Sequence, residues 1–183
     1  ERIEVLKTYK IFIGGQFPRT ESGRYYPLKL KNNMTVNISL SSRKDYRNAV
    51  IAARTAFSGW STRAAFNRGQ ILYRIAEMLE GRKDQFLEEL KQLGYTAASA
   101  KKEVEQSIDR LVYYAGWCDK YQQLFSAVNP VATSHFNFSV PEPMGVIAIL
   151  ADESTALLGL VSVIAPAIAG GNTCIVLASE SKP

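Results

Sequence analysis

The first part of the chain consists of short runs of β-forming residues separated by turn formers. Residues 8–13 (TYKIFI) are rich in β-formers and lead into Gly14-Gly15, a turn signal. Two further runs follow: GRYYPLKL, which is interrupted by Pro27, and NMTVNISL. This pattern predicts a small N-terminal β-ribbon.

The next part has the period of amphipathic helices. A capped start is predicted at Ser42, a second helix after Trp60, a third over Asp84–Leu93 that ends at Gly94, and a fourth that Thr96 caps. Apolar residues three and four positions apart define the face of each helix that is expected to be buried. These inward positions are Tyr46, Ala49, Val50, Ala53 and Phe57; Ile71, Leu72, Ile75, Met78 and Leu79; and Val104, Ile108, Leu111, Val112 and Ala115.

After Pro130, which is predicted to close the helical part, the pattern becomes that of strands. The run SHFNFSV alternates polar residues with Phe136, Phe138 and Val140, which predicts a strand with one wet face. Gly145 to Leu177 then has the pattern of strand, turn, helix, Gly-Asn turn and strand. One parallel β-α-β unit cannot close a sheet, so the sequence is expected to be the first half of a domain or a fragment.

Composition mainly excludes classes of function. The chain has 183 residues, of which 46% are hydrophobic and 21% charged, so a packed core is expected. The net charge is +5, but Lys and Arg are scattered among acids, which favours a soluble domain over a nucleic-acid-binding one. The apolar stretch 156–169 is too short to cross a bilayer, so no membrane partner is predicted. Without a secretory signal, the expected location is cytoplasmic.

Few residues could serve as metal ligands or nucleophiles. Cys118 and Cys174 lie far apart and His135 is the single histidine, so no metal site is predicted. Cys174 lies in a predicted buried strand and Cys118 on the fourth predicted helix, and both are interpreted as packing residues. His135 is interpreted as a surface residue of a strand.

The turn after the first strand of the β-α-β unit poses the main question about function. Residues 151–155 read Ala-Asp-Glu-Ser-Thr, with no glycine to admit a pyrophosphate and two acids where a polyanion would sit. Asp152 and Glu153 could be general acids, but adjacent turn residues point apart. A solvated turn, or a helix N-terminus where acids complement the dipole, is the simpler interpretation.

Several segments match, in order, the motifs of one enzyme family. EPMGVIAIL and LLGLVSVIAPAIAGGNTCIVLASES resemble a Glu-Pro-x-Gly-Val strand, a helix ending Ala-Pro-Ala-Leu-Ala-x-Gly-Asn, and a second strand. YKIFIGGQF resembles an opening hairpin, and SHFNFSVPEPMGV an arm that leads into a nucleotide domain. These are motifs of the NAD(P)-dependent aldehyde dehydrogenase superfamily. More narrowly, NRGQILYRIAEML, YYAGWCDKY and DE-x-x-LLG-x-VS resemble the aldehyde dehydrogenase sixteen subfamily, in its second, carboxy-terminal dehydrogenase-like domain.

The resemblance implies an α/β fold that is the N-terminal part of an aldehyde dehydrogenase. Residues 1–141 would form a β-ribbon, helices and an oligomerisation-type arm strand, and residues 142–183 the first β-α-β of a Rossmann-like parallel sheet. In the family the opening hairpin and the arm take part in subunit contacts. The resemblance therefore implies self-association through β-strand edges, with a homo-oligomer expected, or docking on a partner protein.

The departures from the family pattern concern the cofactor and the oxyanion. Ungapped alignment places Ser154 at the family asparagine that helps to form the oxyanion hole, where a serine is shorter. Leu177 falls at the lysine that hydrogen-bonds the adenosine ribose, and Glu180 matches the ribose-binding glutamate. The resemblance thus implies NAD(P), but Glu180 is the one residual contact. No cofactor is expected to bind this chain, and no catalytic residue is assigned in it.

Two hypotheses about function follow. In the first, the chain is a non-catalytic aldehyde-dehydrogenase-like domain for assembly and protein contacts, which the departures favour. In the second, it is part of an NAD(P)-dependent enzyme that oxidises aldehydes to carboxylic acids, which the fold and Glu180 favour. The family's nucleophilic cysteine and base glutamate would then lie after residue 183. A generic helical binding module would leave the β-α-β unit unexplained.

Overall fold

A computed structural model of the chain describes residues 6–183. The strands form three small sheets, of three, two and two strands. The elements are, in chain order, β1 (Thr8–Tyr9), β2 (Tyr25–Lys29), β3 (Thr35–Ser39), α1 (Arg43–Ser61), α2 (Ala65–Gly81), α3 (Lys83–Gln92), α4 (Ala97–Trp117), α5 (Tyr121–Phe125), β4 (Ala127–Asn129), β5 (Asn137–Ser139), β6 (Val146–Leu150), α6 (Leu158–Ala169) and β7 (Thr173–Leu177). The α/β class predicted from the sequence is confirmed.

The predicted N-terminal β-ribbon is present, with β3 between a parallel β1 and an antiparallel β2. Its first strand is shorter than predicted: β1 ends at Tyr9, and Ile13 forms an isolated bridge with Gln16 across the turn at Gly14 and Gly15. Both glycines have positive φ angles, 59° and 80°, which other residues rarely adopt. The predicted turn is therefore confirmed.

Pro27 lies inside β2 and does not interrupt it. Its register partner is Asn37 in β3, whose amide donates to the Lys7 carbonyl on the opposite side. The backbone nitrogen of Pro27 therefore points away from β3. Because β2 is an edge strand within residues 6–183, the missing N–H of Pro27 costs no ladder hydrogen bond.

The predicted capped helix starts at Ser42 and Thr96 are confirmed. The Ser42 hydroxyl accepts the Asp45 amide, and the Asp45 carboxylate accepts the Ser42 amide at 2.8 Å, which completes a capping box. At the start of α4 the Thr96 hydroxyl accepts the amide of Ser99 at 3.1 Å. Helix α1 ends at Ser61, directly after Trp60, and the second predicted helix, α2, begins at Ala65.

The main core lies between α2, α4 and α6. Its buried residues are Leu72, Ala76, Leu79, Leu111, Cys118, Ala165 and Ala169. Several predicted inward positions are wrong: Tyr46, Ile75, Met78 and Val112 are 41–50% exposed, whereas the neighbouring Asp45 and Ala76 are buried. The buried stripe of α2 includes the charged residue Arg68, which a count of apolar positions omits.

The run SHFNFSV contributes only a short strand, β5, which pairs with β4 in an antiparallel hairpin. The sequence did not predict β4. The expectation of one wet face does not hold for the described chain, because the apolar face is uncovered as well: Phe136 is 73% exposed and Phe138 58%.

The β-α-β unit forms as predicted. Strands β6 and β7 are parallel over five residue pairs, from Val146 with Thr173 to Leu150 with Leu177. Both α6 and α1 pack against them. Within residues 6–183 this sheet has only its two strands. Across the same residues, no helix is long and apolar enough to cross a membrane.

Candidate functional site

The candidate site lies at the carboxyl ends of β6 and β7. The turn 151–157 leaves β6 and the segment 178–182 leaves β7 at the same edge of the sheet, where open α/β folds bind their ligands. Ser154 belongs to the turn and Glu180 to the segment after β7. The structure therefore brings together the two stretches that carry the predicted site residues.

Ser154 is engaged within its own turn. Its amide donates to the Asp152 carboxylate at 3.0 Å, and its hydroxyl donates to the second oxygen of the same group. These hydrogen bonds lower the pKa of Asp152. The only O–H of Ser154 is thus used locally, in an exposed turn.

Glu153 joins the turn to the segment after β7. Its carboxylate accepts the amides of Glu180 at 2.8 Å and Ser181 at 3.2 Å, and the hydroxyls of Ser179 and Ser181. We refer to Glu153 with residues 179–181 as the Glu153 clasp. Since Asp152 bonds to Ser154 instead, the two adjacent acids point apart, as predicted.

The hydrogen bonds of the Glu153 clasp lower the pKa of Glu153 to about 2, and the Ser179 hydroxyl contributes most. A carboxyl whose pKa is depressed in the folded state stabilises that state above its ordinary pKa of 4.5. The contribution of the clasp is therefore complete at neutral pH and is lost as the pH falls from 4.5 through about 2.

Two further side chains hydrogen-bond the main chain of the turn 151–157 and of the segment 178–182. The Lys182 ammonium donates to the Ser154 carbonyl at 2.6 Å and lies 5.5 Å from the centre of the Tyr95 ring. From the N-terminal ribbon, the Tyr26 hydroxyl donates to the Glu180 carbonyl at 3.0 Å. Burial, together with the Glu180 and Glu153 carboxylates, raises the pKa of Tyr26.

Glu103 is the functional candidate that sequence reasoning missed. It lies on α4 and is 7% exposed. One of its oxygens accepts the amides of Ala156, Leu157 and Leu158 at 3.0, 2.7 and 3.3 Å. The signal in the sequence is an acid within the apolar stripe of a predicted helix, next to Val104. Glu103, rather than Asp152 or Glu153, thus accepts the amides at the N-terminus of α6.

Leu177 and Glu180, the two positions to which the sequence resemblance assigns ribose binding, are both accessible. Leu177 ends β7 and is 48% exposed, and an apolar side chain cannot make a hydrogen bond there. Within the described residues, no hydrogen bond to the Glu180 carboxylate is present.

The remaining candidates do not join this site. Cys118 is buried in the core and Cys174 is partly buried in β7, and burial raises the pKa of both thiols, which disfavours the nucleophilic thiolate. His135 is exposed and hydrogen-bonds Thr133 at 2.9 Å. In the described part of the chain, no group of three ligand residues is placed to hold a metal ion.

The fold and the sequence both match known proteins. The model of the aldehyde dehydrogenase family matches residues 21–183. The chain belongs to the aldehyde dehydrogenase family. Human mitochondrial 10-formyltetrahydrofolate dehydrogenase is 30% identical over 99% of this chain, and cytosolic aldehyde dehydrogenase 1 of Elephantulus edwardii is 32% identical over 95%. A crystal structure of PnpE in complex with nicotinamide adenine dinucleotide matches 96% of this chain with a TM-score of 0.91 and 24% identity.

These proteins are much longer than this chain. The chain spans 20% of the length of the human dehydrogenase and 36% of the lengths of the Elephantulus enzyme and PnpE. It corresponds to part of an aldehyde dehydrogenase fold, so the resemblance of the sequence to this family is confirmed.

Proposed function

We propose that this chain is a non-catalytic aldehyde-dehydrogenase-like domain that serves assembly and protein contacts. More narrowly, it is the carboxy-terminal dehydrogenase-like domain of the aldehyde dehydrogenase sixteen subfamily, a proposal that rests on the segments NRGQILYRIAEML and YYAGWCDKY. The observation that carries the proposal is the Glu153 clasp, which holds a second carboxylate against the main chain of Glu180, the residue to which the resemblance assigns ribose binding.

The clasp opposes dinucleotide binding in two ways. It occupies the amides of Glu180 and Ser181, which are then not available to a ligand. It also holds the negative charge of Glu153 at the edge of the sheet that a dinucleotide, itself a polyanion, would have to approach. Leu177 adds no compensating hydrogen bond or positive charge.

The position that corresponds to the family's oxyanion donor also lacks a free hydrogen-bond donor from its side chain. By resemblance, Ser154 stands where the family has an asparagine amide, and its hydroxyl already donates to Asp152. Loss of one oxyanion donor lowers the rate of an enzyme on the order of 10²–10³-fold. This change supports the absence of catalysis even if a cofactor were supplied.

The role in assembly is supported by two uncovered apolar surfaces. The β4–β5 hairpin exposes Val128, Phe136 and Phe138, and the β6–β7 sheet exposes Leu150 and Leu177. Contiguous exposed apolar surface of this kind marks interaction sites. Strands with unpaired edges recruit further strands unless they are protected.

The alternative is that the chain is part of a working NAD(P)-dependent aldehyde dehydrogenase. It is favoured by the Glu180 carboxylate, which is exposed and accepts no hydrogen bond within the described residues. In that case the remaining sheet neighbours and the reacting groups come from elsewhere in the protein.

The first test is calorimetric titration of the chain with NAD and NADP. We expect no binding, because the ribose position lacks a donor at Leu177 and carries two carboxylates. Circular dichroism on the same sample controls for folding. A dissociation constant in the low micromolar range would contradict the proposal and favour the enzyme.

A second test restores the family residues. In the intact protein, Leu177→Lys combined with Ser154→Asn is expected to strengthen dinucleotide binding by about 0.5–1.5 kcal/mol, the contribution of one net hydrogen bond. Met144→Lys adds the same charge at the exposed amino-terminal end of β6, away from the candidate site, and as the matched control it should leave binding unchanged.

A third variant separates the two causes of lost binding. Adding Glu153→Gln to the double variant removes the negative charge from the clasp. If binding appears only then, the clasp blocks the site. If neither the double nor the triple variant binds better than the wild type, the departures at Ser154 and Leu177 and the charge of Glu153 do not explain the lost site.

A further inference from the structure

The first turn of α6 depends on a side chain from another part of the fold. Its N-cap residue, Leu157, provides no side-chain hydrogen bond, and the turn contains no acid. The carboxylate of Glu103 on α4 supplies the missing acceptor for the amides of Ala156, Leu157 and Leu158. A buried acid thus satisfies donors that a helix terminus otherwise leaves unpaired.

The arrangement of these donors is the one that α/β proteins use for bound anions. Three successive backbone amides converge on one oxygen at a helix N-terminus, where the dipole also favours negative charge. The next amide, that of Gly159, donates to the Thr155 hydroxyl at 2.9 Å. The first two residues of α6, Leu158 and Gly159, therefore have their amides engaged by side chains of the protein itself.

The same contact fixes the turn that carries the oxyanion position. The amide of Ala156 lies two residues after Ser154, and it is shared by Glu103 and the Tyr95 hydroxyl at 3.0 and 3.1 Å. On the other side, Lys182 holds the Ser154 carbonyl. The turn is thus held from the helical segment as well as from the segment after β7.

We propose that Glu103 is a positioning residue whose carboxylate takes the place of a bound anion at the N-terminus of α6. It thereby sets the conformation of the turn that carries Ser154. This inference holds whether the protein is catalytic or not, because it concerns the turn and not the chemistry at residue 154.

The experiment uses Glu103→Ala in the intact protein, with hydrogen exchange measured on peptides that span residues 151–160. We expect exchange there to become faster by at least about tenfold, the factor for loss of one charge-assisted hydrogen bond. Added formate should restore protection, because a small carboxylate can enter the space left by the side chain and accept the same amides. Chloride at equal ionic strength should not.

Two variants distinguish this role from a general contribution to stability. Glu103→Gln keeps the shape and removes the charge, so protection should fall without any response to formate. Glu105→Ala removes a half-exposed carboxylate of the same helix, one that pairs with Lys83, and should change neither quantity at residues 151–160.

Unchanged protection of residues 151–160 in Glu103→Ala would overturn the proposal. So would a formate effect of the same size in the wild type or in Glu105→Ala. If Glu103→Ala does not fold, Glu103→Gln is the deciding variant. The proposal requires that its loss of protection be confined to the turn and the start of α6. A loss spread evenly over the chain, or no loss, would contradict the proposal.

Discussion

The double substitution Phe136→Asp and Phe138→Asp is expected to convert the proposed oligomer of this chain into monomers of 20.3 kDa. The two rings lie 5.2 Å apart at the β4–β5 hairpin, and both are largely exposed. Exposed rings of this size are buried when a second copy covers them. A carboxylate in the same place would be desolvated without a partner, which costs about 3 kcal/mol or more per site. The dissociation constant of the assembly would therefore rise more than about 100-fold.

Light scattering at several concentrations measures this effect. Phe66→Asp is the matched control, because Phe66 is equally exposed on α2 and far along the chain from the hairpin. It should leave the mass of the assembly unchanged. A wild-type chain that stays monomeric throughout would exclude self-association. If the Phe136 and Phe138 variants still associate, the exposed ring of Tyr113, beside Trp117 on α4, becomes the next candidate surface.

Arg68→Met is expected to destabilise the fold by about 2–4 kcal/mol. Arg68 is 4% exposed, and its guanidinium donates to the carbonyls of Ala169, at 3.2 Å, and of Arg63. Ala169 is the last residue of α6, so the positive charge also complements the dipole of that helix. Methionine retains much of the apolar contact but leaves both carbonyls without this donor.

Urea unfolding followed by circular dichroism gives the change in the free energy of unfolding. Arg74→Met removes an arginine from the same helix whose side chain is 71% exposed and pairs with the exposed Glu77. That control should change stability by no more than about 0.5 kcal/mol. If the two substitutions lower the free energy of unfolding equally, the buried hydrogen bonds of Arg68 do not contribute the stability predicted for them.

Arg68 and Glu103 together explain how α6 is placed. The helix is apolar and has no acid in its first turn and no base in its last. Glu103 from α4 satisfies its N-terminus, and Arg68 from α2 satisfies its C-terminus, where the Trp60 indole also donates to the Ile168 carbonyl at 2.9 Å. The helical segment therefore fixes the β-α-β unit through charges at both ends of one helix as well as through apolar packing.

The sequence by itself determined those features that depend on neighbouring residues. The capping residues Ser42 and Thr96 mark helix starts because a cap acts within three positions. The turn at Gly14-Gly15 follows from backbone geometry that glycine allows. The order of strand, helix and strand from Gly145 to Leu177 was also predictable, since short and long apolar runs are separated there by turn-forming residues.

Only the tertiary structure decided which groups meet at the site. Glu103 reaches Leu157 across 54 positions of sequence, and Arg68 reaches Ala169 across 101. No local pattern encodes such pairs, because a buried charged side chain and its hydrogen-bond partner need only be close in space. Asp152 bonds within its own turn, whereas Glu153 bonds to the segment after β7. This difference depends on the position of the end of β7 beside β6. The identities of these residues are in the sequence, but packing of α2 and α4 against the β-α-β unit determines what each one contacts.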